Sequence, residues 1–143
     1  MAPVCCTESC GTAAPVKEHA MSITAAQART TLTAMRVALG VGSVLAPRVV
    51  GRVMGLDPKA NPAFPLPAKL YGACNLAIAA ALVNGDEREQ QRWLRYGVAI
   101  DMFDVAAVLG GGSRGYLSKR AVVLGSATAL KLAILGLLAQ RDT

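Results

Sequence analysis

The chain has 143 residues, enough for one domain, and is 53% hydrophobic and only 17% charged, with a net charge of +6. Soluble domains carry roughly 25% charged residues, so this composition argues against a soluble bundle. Aromatic residues make up 4%, and an apolar content dominated by small and aliphatic residues suits closely packed membrane helices. The basic residues are scattered and no recognition motif accompanies them, which argues against nucleic-acid binding and favours contact with anionic lipids.

Residues 1–21 mix proline, glycine, threonine and charge without a helical period, which predicts a flexible tail. The tail contains Cys5, Cys6 and Cys10, for which metal or redox chemistry and acylation are the alternatives to an unstructured segment. His19 is the only histidine in the sequence, so no metal-ligand set and no cofactor is predicted. Met21 is a second candidate start.

Four apolar segments predict an all-α transmembrane domain over residues 22–143, with spans at about 30–46, 68–84, 94–110 and 121–139. Each is close to the ~20 residues that cross the hydrocarbon core. Ser22 is the predicted N-cap of the first helix. Lysine and arginine divide evenly between the two ends of the bundle, so the charge rule does not set the membrane orientation.

The segments between the spans predict one short helix and three polar connections. Arg48 and Arg52 lie one turn apart with valines between them, which predicts either an interfacial helix contacting lipid headgroups or the frayed end of the first span. Residues 57–67 hold four prolines and predict an extended connector. Residues 86–95 predict a charged loop, and the glycines at 110–112 predict a helix break.

Each predicted span carries a polar or ionisable side chain near its middle. An ionisable group in hydrocarbon costs at least ~2.5–3.5 kcal/mol and normally finds a partner inside a bundle or cavity. The two bases and two acids cancel in charge, so we predict one buried polar network. Structural pairing, a proton or ion path and catalysis all remain open for it. Its members are Arg36, Asn75, Asp101, Asp104 and Lys131.

Small residues recur every four positions on the opposite faces of these helices. Such stripes let helix backbones approach closely. If the polar groups point inward, the stripes face outward and predict docking surfaces for other transmembrane helices; an alanine-rich composition is the alternative explanation. The predicted docking residues are Ala38, Gly42, Ala77, Ala81, Gly125 and Ala129.

Two short motifs, AKLYGACNLAIA at residues 68–79 and DMFD at 101–104, carry a resemblance. They resemble those of uncharacterised small four-helix integral membrane proteins of actinobacteria. The matching positions are Lys69, Tyr71, Gly72, Asp101 and Asp104, whereas Cys74 and Asn75 stand where the family has a polar pair. The resemblance implies a four-helix membrane fold over roughly residues 30–140 and implies no activity.

No nucleophile motif of the GxSxG type occurs and the single histidine lies in the tail, so the sequence predicts no catalytic triad and no enzyme. We predict a noncatalytic accessory subunit of a larger membrane assembly, such as a lipid-import transporter or a respiratory complex. Its partners would be other integral membrane subunits and membrane lipids. The alternative is a small transporter or channel lined by the buried polar groups.

Overall fold

A computed structural model describes residues 24–57, 59 and 62–141, and over these residues it contains five helices and no strand. The helices are α1 (Ala25–Leu45), α2 (Pro47–Val53), α3 (Pro65–Asn84), α4 (Glu87–Ser113) and α5 (Lys119–Leu138). The predicted all-helical class is therefore confirmed. The calls on Cys5, Cys6, Cys10, His19 and Met21 lie outside the described residues.

Local capping chemistry explains where the helices begin. Thr24 caps α1 through a reciprocal pair of hydrogen bonds with Gln27, so the N-cap is Thr24 and not the predicted Ser22. The Asp86 side chain accepts from the Glu89 N–H at 2.8 Å, and the Ser118 hydroxyl accepts from the Ala121 N–H at 3.1 Å. Each cap satisfies an N–H that the helix itself leaves without a partner.

Two predicted breaks lie inside α4. Residues 87–95 form its first turns and not a loop, because Asp86 caps this segment and Glu87 and Glu89 lie at the positive end of the helix dipole. The glycines at 110–112 continue the helix to Ser113. A Cβ at Gly112 would lie 2.5 Å from Val122 Cγ2, so the glycine run allows the end of α4 to pack closely against α5.

The four long helices form a ring in which each packs against two neighbours. α1 packs on α3 and α5, and α4 packs on α3 and α5, whereas the diagonal pairs α1/α4 and α3/α5 make no close backbone contact over the described residues. α2 turns away from α1 by 118° and packs against α1 and α3 at one end of the ring.

An apolar cluster fills the opposite half of the ring. Each of the four long helices contributes to it, and so does the residue that follows α5. The members are Ala28, Leu32, Ile78, Leu82, Leu94, Leu132, Leu135 and Ala139. The outward faces are also apolar, with Phe103 73% exposed and Val123 64% exposed. Many large apolar side chains are exposed in the same way, including Leu45, Leu66 and Val83, and where such side chains form a patch they mark contact with lipid or with another protein.

Among the described residues, α3 and α5 are each long and apolar enough to cross a membrane. The bent pair α1 and α2 would be a third span if it is counted as one. The helix α4 does not meet the same combined measure of length, hydropathy and charge content. It carries Asp101 and Asp104 along its length. Two or three of the four predicted spans therefore have the expected length and composition.

Candidate functional site

A buried ion pair crosses the ring along the diagonal from α1 to α4. The Arg36 Nη2 donates to Asp101 Oδ2 at 2.7 Å, and Nη1 donates to Asn75 Oδ1 at 3.0 Å. The three residues are only 2–3% exposed. The guanidinium thus joins three helices, and this is the one ion pair between side chains of the described residues.

Asn75 and Gly97, on two different helices, determine where the guanidinium lies. The Asn75 Nδ2 donates to the Tyr71 carbonyl at 3.0 Å, which turns the amide oxygen toward Arg36. A Cβ at Gly97 would lie 2.8 Å from Arg36 Nη2, so a larger residue there would displace the guanidinium from its present position. The Arg36 Nε has no hydrogen-bond partner among the described residues.

Sequence reasoning missed Gly97, although a signal was present. Gly97 lies four residues before Asp101, and positions four apart share one face of a helix. A small residue on the same face as a buried acid leaves space for the side chain of its counter-ion. Applied to α4, that pattern identifies Gly97.

Asp104 lies one turn beyond Asp101 and is only partly buried. It makes no hydrogen bond or ion pair with the residues that the structure describes. Among the described residues, Arg36 is the only buried cation. Its hydrogen bonds go to Asn75 and Asp101. The interior therefore holds one positive and two negative formal charges.

The structure does not bring Lys131 to this group, and the prediction that it joins the network is wrong. Lys131 is exposed on α5, and no hydrogen bond or ion pair links it to another described residue. The reason is that α5 turns its small face inward, where Ala121, Ala129 and Ala133 are buried. The opposite face of α5, which carries Lys131, then points outward.

The predicted docking stripes divide between the inside and the outside of the ring. Ala129 is buried, and a Cβ at Gly125 would contact Val108 of α4 at 3.4 Å, so the α5 stripe packs within the protein. A Cβ at Gly42 would lie 3.2 Å from Val50 of α2. The remaining members are outside or at the margin: Ala38 and Ala77 are exposed and Ala81 is partly buried.

A cavity of about 340 Å³ lies at the α2 end of the ring. Its wall is formed by all five helices and by residues of the connections, and most of its lining is apolar. The polar side chains in the wall are Ser43, Tyr71, Asp104 and Thr128. The exposed residues Pro67 and Ala107 also line it, so the cavity reaches the surface between α3 and α4.

The α2 surface carries the predicted basic residues. Arg48 and Arg52 are exposed and, with Lys59 and Pro62, line a shallow depression. Val49 and Val53, in the same helix, are each 56% exposed. The short helix therefore presents both positive charge and apolar side chains to its surroundings.

Comparison with known proteins finds no matching family model, no similar curated protein and no similar solved structure. Function has to be argued from the residues themselves. Among the described residues, no group of three or more histidine, cysteine or acidic side chains is arranged to hold a metal ion.

Proposed function

We propose that the chain is a noncatalytic accessory subunit of a larger membrane assembly, such as a lipid-import transporter or a respiratory complex. In this proposal all four long helices span a bacterial plasma membrane. The α4 helix crosses with both aspartates turned away from the lipid: Asp101 is paired with Arg36 inside the ring, and Asp104 lines the cavity. The neighbouring subunits are integral membrane proteins, and the lipids contact the apolar outward faces.

The observation that carries the proposal is the exposed Lys131, which has no ion-pair partner within the described part of the chain. It lies seven residues before the last residue of α5, which corresponds to roughly 10 Å along the helix axis. That distance exceeds the reach of a lysine stem, so extension of the side chain toward the headgroups does not bring the ammonium group fully into water. An acidic or amide side chain on a partner helix would remove the cost of leaving it in hydrocarbon.

Two further features support docking in a membrane. Ala38 on α1 and Ala77 on α3 are exposed small residues, which would let a partner helix approach closely. Arg48 and Arg52 on α2 are placed to meet lipid phosphates, each near-surface arginine contributing on the order of 1 kcal/mol. The internal pair of Arg36 and Asp101 then holds the ring together and has no catalytic part.

Affinity purification from membranes of the source organism, in mild detergent, tests the proposal. The wild-type chain should copurify with a stoichiometric membrane protein. Lys131→Ala should lose that protein, whereas Lys131→Arg should retain it. Lys119→Ala is the matched control, because Lys119 is exposed at the first position of the same helix. A wild-type chain that runs alone, or a partner that stays with Lys131→Ala, would refute the proposal.

The alternative is a small transporter or channel, and the cavity with Asp104 in its wall is the observation that favours it. A conducting path would have to pass the Arg36 pair and then the apolar cluster that fills the other half of the ring. Flux into proteoliposomes discriminates between the two functions. Transport that Asp104→Asn abolishes, without release of a partner, would favour the alternative.

A further inference from the structure

The cavity at the α2 end has the size and lining of a small-molecule site. Its volume of about 340 Å³ lies at the lower end of the ~300–1,000 Å³ typical of ligand pockets. A water molecule occupies ~30 Å³ in the liquid, and at that volume for each non-hydrogen atom with its hydrogens the cavity holds on the order of eleven such atoms. An apolar wall with a few polar side chains is the usual composition of such sites.

The charge of the wall selects among apolar ligands. Asp104 contributes a carboxylate that has no hydrogen-bond partner among the described residues, and the one buried cation is hydrogen-bonded to Asp101. Lys131 is on the outside of α5 and does not line the cavity. An apolar space beside a carboxylate that no cation of the described residues contacts favours a cationic guest over a neutral or an anionic one.

Aromatic side chains in the same wall fit this choice. Tyr71 and Phe64 both line the cavity, and aromatic faces attract ammonium groups, most strongly where water is excluded. The remaining wall, which includes Leu39, Met54 and Val108, supplies contact for a hydrocarbon body. Entry is available between α3 and α4, where Pro67 and Ala107 are exposed.

We propose that this cavity binds a small apolar monocation, an ammonium group on a compact hydrocarbon body, with its charge beside Asp104. The inference does not depend on the accessory-subunit proposal, because it concerns the isolated chain. A docked partner leaves it unchanged unless the partner covers the opening between α3 and α4.

Binding of benzyltrimethylammonium to the purified full chain in zwitterionic lipid nanodiscs tests the inference. This probe has about eleven non-hydrogen atoms, which matches the capacity of the cavity, and its charge does not vary with pH. Neopentylbenzene has the same shape without the charge and serves as the neutral competitor. Equilibrium dialysis with radiolabelled cation measures saturable binding.

We expect saturable binding to the wild type and a loss of affinity of tenfold or more in Asp104→Asn, which keeps the shape of the side chain. Asp86→Asn is the matched control: it removes an exposed carboxylate at the start of the same helix, and asparagine is an equally good N-cap. Its affinity should equal that of the wild type.

Three results would overturn the inference. The first is the absence of saturable binding to the wild type. The second is equal affinity in Asp104→Asn and the wild type, which would place the cation elsewhere. The third is competition by neopentylbenzene as strong as by unlabelled cation, which would make the cavity a site for neutral hydrocarbon such as an acyl chain.

Discussion

A close backbone contact between α1 and α3 gives the sharpest stability prediction. Gly72 of α3 is buried against α1, and a Cβ there would lie 2.8 Å from the Gly40 carbonyl oxygen and 2.9 Å from Val44 Cγ2. Ordinary contact begins at 3.4 Å, so Gly72→Ala requires the two backbones to separate by about half an ångström. Gly110 on α4 offers a matched control, because a Cβ there would lie 3.9 Å from the nearest neighbouring side chain, at Arg114 Nη1.

The two substitutions should change stability in opposite directions. Alanine favours a helix over glycine by about 0.8–1 kcal/mol, whereas overpacking a tight contact costs about 1–3 kcal/mol. Gly72→Ala should therefore lower the free energy of unfolding by about 1 kcal/mol, the difference between the midpoints of these two ranges, and Gly110→Ala should raise it by up to about 1 kcal/mol. Unfolding by SDS in mixed micelles, followed by circular dichroism, measures both. Equal or greater stability of Gly72→Ala would refute the close-contact argument.

The remaining predictions concern the ion pair and one cap. Arg36→Met or Asp101→Leu alone should lower the free energy of unfolding by about 3–5 kcal/mol, because each leaves a buried charge unpaired. The double variant should recover most of that loss. Additive losses in the same SDS titration would contradict this prediction. Gly97→Ala should destabilise the wild type but not the Arg36→Met variant, since the added Cβ meets the guanidinium. Ser118→Ala should cost about 1 kcal/mol as a lost N-cap and should speed amide exchange near Gly55, whose carbonyl accepts from the Ser118 hydroxyl at 2.8 Å; unchanged exchange would argue against that contact.

The sequence was sufficient to locate the four long helices, apart from the two ends of α4, but not to predict which face of each helix points inward. Residues 121–139 were predicted as a span, and α5 covers Lys119–Leu138. Its inward face was misjudged, because Val123, Leu130 and Ile134 on the outward face are as apolar as a core. When both sides of a helix are apolar, polarity no longer distinguishes inside from outside, and close packing of small residues decides the orientation.

The candidate site was partly predictable for a different reason. Arg36 and Asp101 could be assigned to one buried network, though not to each other, because a buried charge needs a counter-ion whatever the details of packing. Lys131 satisfied the same charge count but lies on the outside. The cavity could not be predicted, since it arises where α2 and the ends of several helices fail to fill a volume. Such a gap depends on tertiary positions that one-dimensional patterns do not contain.

The diagonal route of Arg36 bears on how the chain is assembled. Its two acceptors become available at different times during synthesis, since Asn75 follows it by 39 residues and Asp101 by 65. At ~5–20 residues per second, the acid arrives roughly 3–13 s after the arginine. Insertion in chain order would therefore leave the Arg36 guanidinium of α1 without its counter-ion during that interval, until α4, the third of the four long helices, has emerged.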